Sequence, residues 1–147
     1  MRDSVDCLSI SYKIYHCERW GSKRKGASLE DRILVVDDEE VICSILARRL
    51  TREGYSCMTA HNGKEALNYF YKDSFSLIIS DIKMPEMDGI ELLKKVKAMH
   101  PNMLVIIVTA YPEIDLALEA MRLGAYDLII KPADLELVAL SVASDEL

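Results

Sequence analysis

The stretch "FSLIISDIKMPEMDG", residues 75–89, decides the fold. Its first part, Phe75 to Ile79, has the length and near-continuous apolar character of a strand buried on both faces. The run stops at a carboxylate, Asp81, and Asp88 with Glu91 three residues later has the pattern of a capping box that opens a helix. A buried strand that ends in a charge and leads through a short loop into a helix is typical of a parallel α/β sheet.

Four other short apolar runs alternate with segments of helical periodicity, and they cover residues 33–36, 55–60, 103–109 and 125–130. The first helical segment has one apolar face, formed by Val41, Ile42, Ile45, Leu46 and Leu50. Parallel neighbours need helical crossovers, and those crossovers cover both faces of the sheet. Five strands and five helices therefore predict an α/β fold with a parallel sheet between two layers of helices.

Glycine and proline mark the predicted helix ends. Gly54 suits the end of the first helix, and Gly124 suits the end of the fourth, because glycine readily adopts the positive φ of a helix cap. Pro101 closes the third helix, and Pro112 suits the first turn of the fourth. The fifth helix is predicted to begin at about Asp134.

Charge and hydropathy exclude several classes of protein. Residues 1–28 hold six basic and three acidic residues, and the rest of the chain has a net charge of -9, which argues against direct nucleic-acid binding by that part. No apolar stretch approaches the roughly 18 to 20 residues that span a bilayer, so we expect no membrane contact and a cytoplasmic location. Cys43 and Cys57 lie in apolar segments and are predicted to be reduced core residues.

The first 30 residues differ in composition from the rest. "GSKRKGAS", residues 21–28, is a linker by composition, so residues 1–30 are interpreted as an N-terminal extension and linker. Two interpretations of this extension stay open, namely disorder and a short half-buried strand. Residues 31–147 are predicted to form one domain.

Polar side chains end four of the predicted strands: Asp37 and Asp38, Asp81, Thr109, and Lys131. Ligands of open α/β sheets bind beyond the carboxyl ends of the strands, so these residues are expected to converge. Three crowded carboxylates repel one another unless a cation lies among them, and Mg²⁺ suits an oxygen-only set of ligands. A carboxylate nucleophile, a divalent metal, an ammonium and a hydroxyl together indicate phosphoryl transfer.

Four segments resemble the receiver domain of two-component response regulators: "ILVVDDEE", "SDIKMPEMDGIELL", "VIIVTAY" and "GAYDLIIKP". The resemblance runs from about Arg32 to the C-terminus, and the stretch around Asp81 is most similar to NtrC-type regulators. It implies a flavodoxin-like (βα)5 three-layer sandwich with sheet order 2-1-3-4-5. It also implies a signalling domain that is phosphorylated and dephosphorylated by its own chemistry, and not an enzyme that acts on other substrates.

The resemblance assigns a role to each residue at the predicted edge. Asp81 would accept a phosphoryl group from a sensor histidine kinase or a phosphotransfer protein. Mg²⁺ would be bound by Asp38 directly, by Asp37 largely through water, by Asp81, and by the backbone carbonyl of Lys83. Thr109 and Lys131 would contact phosphoryl oxygens, with Lys131 turned inward by a cis peptide bond before Pro132.

Lys83 and Tyr111 would flank the water that hydrolyses the aspartyl phosphate, and so tune its lifetime. The chain departs from the family pattern at Leu128, where receivers usually carry Tyr or Phe, while Tyr126 matches a different aromatic of the family. Ala133 replaces a common Phe. The switch region of Thr109, Leu128 and Tyr126 is thus expected to respond without the usual aromatic ring.

The resemblance also implies partners. A homodimer could form through the fourth helix, the fifth strand and the fifth helix, and a C-terminal effector domain could follow in a longer protein. A degenerate receiver that acts by protein contact alone is one alternative. An Asp-nucleophile phosphatase is another, but it would need a second acid two residues after the nucleophile, and position 83 is Lys. An FMN-binding domain would need a phosphate-binding loop where "DDEEV" is acidic.

Overall fold

Residues 32–110 and 114–131, which this computed structural model describes, contain five strands that alternate with four helices. The predicted extension over residues 1–30 and the predicted fifth helix lie outside the described residues, as do Tyr111, Pro112, Pro132 and Ala133. The elements are β1 (Arg32–Val36), α1 (Glu40–Arg52), β2 (Ser56–Ala60), α2 (Gly63–Lys72), β3 (Leu77–Ser80), α3 (Gly89–Met99), β4 (Leu104–Ala110), α4 (Ile114–Arg122) and β5 (Asp127–Lys131).

All five strands form one parallel sheet in the order β2-β1-β3-β4-β5, which confirms the predicted order. β1 lies between β2 and β3, with Val36 opposite both Ala60 and Ser80. Ser80 is in turn opposite Ile107 of β4. The carboxyl ends of the strands therefore meet at one edge of the sheet.

Two apolar clusters cover the two faces of the sheet. On one face, the apolar stripe of α1 packs on alternate residues of the central strands, and Cys43 is buried there. On the other face, α2, α3 and α4 enclose the second cluster, which contains Leu34, Ile78 and Ile107. This arrangement confirms the predicted burial of the strands from both sides. No helix in the described part of the chain is long and apolar enough to cross a membrane.

The helix ends follow local sequence signals. Gly54 and Gly124 have φ values of +101° and +103°, and both lie just after a helix, as predicted. Asp88 is the N-cap of α3, where its side chain accepts a hydrogen bond from the amide of Glu91 at 2.9 Å. Asn62 caps α2 in the same way by accepting from the amide of Glu65 at 2.8 Å.

Two strands, β3 and β5, begin two residues after the start of their apolar runs. Phe75 is buried in the second cluster, but the β3 ladder starts only at Leu77. Ala125 is also buried, and Tyr126 donates its amide to the Val105 carbonyl at 2.7 Å before β5 begins. In both cases, the apolar character reports burial, and burial extends beyond the strand into the preceding turn.

Candidate functional site

A cluster of carboxylates follows β1. Carboxylate oxygens of Asp37, Asp38 and Glu39 all lie within 4.8 Å of one another. Asp37 is buried, whereas Asp38 and Glu39 are exposed. The amide of Asp37 donates to the Ala60 carbonyl at 3.1 Å, and Asp37 Oδ1 accepts from the amide of Glu39 at 3.0 Å. Backbone bonds on both sides thus hold the buried carboxylate in place.

Asp81 follows β3, the strand next to β1. Its amide donates to the Val36 carbonyl at 3.0 Å, which continues the β1–β3 ladder one residue beyond the pair Val36 and Ser80. Asp37 and Asp81 therefore leave adjacent strands at the same level. Asp81 is only 8% exposed, and its Oδ1 accepts a hydrogen bond from the Ile82 amide at 2.7 Å.

The other two predicted strand-end residues lie on the next strands of the sheet. Thr109 is the penultimate residue of β4 and is buried. It is opposite Ile130, and Lys131 ends β5 opposite Ala110. The structure thus places Asp37, Asp81, Thr109 and Lys131 at the carboxyl edge of four neighbouring strands.

The loop between β3 and α3 borders this edge. Met87 donates its amide to the Pro85 carbonyl at 2.8 Å, which closes a three-residue γ-turn around Glu86, whose φ is +70°. Gly89 donates its amide to the Ile82 carbonyl at 2.7 Å, so the loop is tied back to its own beginning. Met84 and Met87 are buried, while Lys83 is exposed.

An open cleft of about 440 Å³ lies beside the site. Its lining comes from three elements: the residue that follows Asp37, the loop between β3 and α3, and the first turn of α4. The lining residues are Asp38, Ile82, Lys83, Met84, Pro85, Asp88 and Leu116. The predicted metal ligand Asp38 and the predicted tuning residue Lys83 therefore share one solvent-accessible depression.

The residues present fit a hard divalent cation. The donors around Asp37 and Asp38 are all oxygens, as Mg²⁺ prefers. One carboxylate is buried and fixed by the Glu39 amide, and the other two are exposed to solvent. Glu39, which was not among the predicted ligands, adds a third carboxylate beside Asp37 and Asp38.

The other two predicted switch residues, Leu128 and Tyr126, lie in β5 and just before it. Leu128 is partly buried and packs against the cluster on the α2–α3–α4 face, opposite Ile107 of β4. Tyr126 is 41% exposed. Leu118 and Met121 of α4 are also exposed, on the helix that was predicted to take part in a homodimer. That homodimer stays a prediction, and Tyr111 lies outside the described residues.

The sequence matches the response regulator receiver domain over residues 33–143. This chain belongs to that family. The receiver is 44% identical over 111 residues to the transcriptional regulatory protein ZraR of Klebsiella oxytoca, an alignment that covers 76% of this chain and 25% of that protein. It is 44% identical over 102 residues to the DNA-binding transcriptional regulator NtrC of Klebsiella pneumoniae, covering 69% of this chain and 22% of that regulator.

Solved receiver structures share the fold. The receiver domain of NtrX from Brucella abortus superposes with a TM-score of 0.66 at 35% identity, covering 77% of this chain and 95% of that one. The response regulator TrrA from Thermotoga maritima, solved in complex with Mg²⁺ and BeF, superposes with a TM-score of 0.63 at 34% identity, covering 78% of this chain and 97% of that one. The flavodoxin-like architecture and the NtrC-type resemblance are confirmed.

The receiver spans about a quarter of the length of the curated relatives it matches. As a receiver domain of two-component response regulators, it is a signalling domain, and the phosphatase and degenerate-receiver alternatives are not favoured.

Proposed function

We propose that this receiver accepts a phosphoryl group on Asp81 from the phosphohistidine of a sensor kinase or phosphotransfer protein. The observation that carries the proposal is the position of Asp81. Its carboxylate is buried at the end of β3, and its amide is bonded to Val36, immediately before the acidic cluster. A buried carboxylate on the strand next to that cluster, at the same level of the sheet, is suited to chemistry that brings in a divalent cation and a phosphoryl group.

The reaction is an in-line displacement at phosphorus. A carboxylate oxygen of Asp81 forms the new bond to phosphorus, the bond from phosphorus to the imidazole nitrogen breaks, and its electron pair stays on the imidazole. The Ile82 amide holds Asp81 Oδ1, and this contact orients the carboxylate before reaction. The products are an aspartyl phosphate and an unphosphorylated histidine.

Asp37, Asp38 and the Lys83 carbonyl would hold Mg²⁺ together with Asp81. When bound, Mg²⁺ supplies positive charge that offsets repulsion between the carboxylates and the incoming phosphoryl group. Asp37 is already oriented by the Glu39 amide, and Asp38 lines the open cleft. The chain would therefore contribute two buried carboxylates, Asp37 and Asp81, and one accessible carboxylate, Asp38.

Thr109 and Lys131 would read the new phosphoryl group. A hydroxyl at Thr109 would donate to one phosphoryl oxygen, and the ammonium of Lys131 would pair with another. Thr109 belongs to β4 and Lys131 to β5, and α4 connects these two strands. A contact made only in the phosphorylated state would bias the domain between two conformations and pass the signal to the remainder of a longer regulator.

Lys83 and Tyr111 would act later, on the water that hydrolyses the aspartyl phosphate. Lys83 is exposed in the cleft, so its side chain can border a water that approaches Asp81. In this proposal, the receiver takes up and loses the phosphoryl group through its own residues and does not turn over other substrates.

The test is intact mass after incubation with acetyl phosphate or phosphoramidate, with Mg²⁺ or with EDTA. We expect a Mg²⁺-dependent adduct of about 80 Da, the phosphoryl increment, in the wild-type protein and none in Asp81→Asn. Beryllofluoride with Mg²⁺ is a second probe of the same site. If Asp81→Asn took up the phosphoryl group at a rate near that of the wild type, the assignment of Asp81 would fall.

A further inference from the structure

The peptide unit that joins Asp81 to Ile82 is hydrogen-bonded at both of its ends. On one side, the Ser80 hydroxyl donates to the Asp81 carbonyl oxygen at 2.8 Å. On the other side, the Ile82 amide donates to Asp81 Oδ1 at 2.7 Å. A continuous chain of hydrogen bonds therefore runs from Ser80, through one peptide plane, to the carboxylate.

Ser80 is buried in apolar surroundings. It is 1% exposed and lies opposite Val36 and Ile107, which both belong to the α2–α3–α4 cluster. Side chains two residues apart on a strand share a face, and Ile78 is in that same cluster. A hydroxyl in such surroundings is held to its acceptor, because leaving it without one would carry a desolvation penalty.

Gly89 limits the movement of the same peptide from the other direction. A Cβ at Gly89 would overlap the Asp81 carbonyl oxygen and come within 2.9 Å of the Ile82 α-carbon. The first residue of α3 thus lies directly against the peptide that Ser80 bonds. The carbonyl of Asp81 has little room to tilt, and its orientation is set by the Ser80 hydroxyl and the Gly89 backbone together.

We propose that Ser80 is a positioning residue for Asp81, an inference that rests on the proposed function of Asp81 as the phosphoacceptor. A hydrogen bond to a peptide carbonyl polarises the peptide and strengthens donation by its amide. Here the strengthened donor is the Ile82 amide, which fixes Oδ1 of the reacting carboxylate. Ser80 therefore acts on the rate of phosphoryl transfer through the orientation of Asp81, without touching the phosphoryl group.

The kinetic test compares Ser80→Ala with wild-type protein at saturating phosphodonor and saturating Mg²⁺. We expect the phosphorylation rate constant to fall about three- to tenfold, the range for one lost hydrogen bond, while Mg²⁺ affinity stays within about twofold. Ser80→Thr keeps the hydroxyl and should restore most of the rate. Ser80→Cys, with a weak donor in place of the hydroxyl, should give an intermediate rate.

Ile78→Val is the matched control for a purely structural effect. It removes one methyl group from the same face of the same strand and leaves both hydrogen bonds of the peptide in place. We expect this variant to lose stability in urea unfolding and to keep the wild-type rate constant for the folded fraction. An equal rate constant in Ser80→Ala and Ile78→Val would overturn the inference.

An NMR readout separates this inference from the proposed function. The Ile82 amide proton should shift upfield in Ser80→Ala and remain in place in Ile78→Val, because only the first change weakens its hydrogen bond. If the wild-type protein took up no phosphoryl group, the proposed function would fail. Separately, an Ile82 resonance that does not move in Ser80→Ala would overturn the link from Ser80 to the Asp81 carboxylate. An upfield shift would support that link even without phosphoryl uptake.

Discussion

Gly89 packs so closely against Asp81 that a side chain at position 89 would occupy the space of the Asp81 carbonyl oxygen. We expect Gly89→Ala to force the backbone of β3 or α3 to move and to destabilise the domain by about 2 kcal/mol or more. Urea unfolding measures the stability, and intact mass after acetyl phosphate treatment measures phosphorylation. Both should fall.

Gly54→Ala is the control, since a Cβ at Gly54 would meet no atom within 4 Å, although φ there is +101°. That variant should lose only about 1 kcal/mol of stability from backbone strain and should keep its phosphorylation rate. Equal loss of phosphorylation in the two variants would show that general destabilisation, and not the contact with Asp81, is responsible.

Asp38→Asn should weaken Mg²⁺ binding more than Glu39→Gln. Both carboxylates are exposed and close to Asp37, but Asp38 lines the cleft next to Lys83, and Glu39 contacts Asp37 through its backbone amide. We expect Asp38→Asn to lower Mg²⁺ affinity by more than about tenfold and Glu39→Gln by less, as loss of a direct ligand differs from loss of a neighbouring charge. Titration of beryllofluoride binding against Mg²⁺ measures both, and the reverse order would contradict the assignment.

Leu128→Tyr should leave phosphorylation within about twofold of wild type, because Leu128 packs in the apolar cluster and not among the carboxylates. The variant introduces an aromatic ring at position 128, opposite Ile107 of β4. Rates with acetyl phosphate and Mg²⁺ provide the measurement. A large loss would mean that Leu128 serves the phosphoacceptor site itself.

Glu86→Gly should stabilise the domain. Glu86 has a φ of +70° at the centre of a γ-turn, a conformation that strains any residue with a Cβ. Glycine relieves that strain, and we expect a gain of about 0.5 to 1 kcal/mol in the free energy of unfolding, measured with urea. Glu86→Ala removes the same carboxylate but keeps the Cβ, so it should bring no such gain.

The stability of the domain should decrease above pH 9 through Cys57. Burial raises the pKa of the Cys57 thiol above its ordinary value of 9.0, and a hydrogen bond with Thr51 lowers it by less. The folded state thus holds this proton more tightly than the unfolded state. The resulting stability is fully present below pH 9 and is lost as the pH rises through the folded-state pKa.

A serine at position 57 does not ionise between pH 7.5 and pH 10.5, so Cys57→Ser should lack the loss of stability that comes from ionisation of the thiol. Urea midpoints measured from pH 7.5 to pH 10.5 should therefore fall more steeply for wild-type protein than for the variant. Parallel curves would show that another group governs the alkaline limit.

Sequence reasoning predicted the elements whose signals are local. The capping residue Asp88 and the two helix-ending glycines, Gly54 and Gly124, act within four residues of their own position, and all three were predicted correctly. The start of β3 was predicted two residues too early, because Phe75 is buried in the α2–α3–α4 cluster without pairing in the sheet. A one-dimensional pattern shows that a residue is buried, but not which neighbour buries it.

The candidate site divides in the same way. The rule that ligands bind at the carboxyl ends of parallel strands was enough to name Asp37, Asp81 and Thr109. The hydrogen bond of the Ser80 hydroxyl and the positive φ of Glu86 depend on the path of the backbone, and the residue types at these positions do not predict that path. Serine before a carboxylate and glutamate after proline are ordinary in many loops.

The order of strands in the sheet places the site residues on strands that differ in their number of hydrogen-bonded neighbours. Asp37 and Asp81 follow β1 and β3, which each have a hydrogen-bonded strand on both sides, whereas Lys131 ends β5, which within the described sheet is bonded to β4 alone. Shifting β5 disturbs a single ladder, while shifting β1 would break two. The carboxylates that would bind the metal thus follow interior strands of the sheet, whereas Lys131, one of the two residues that would contact the phosphoryl group, ends an edge strand.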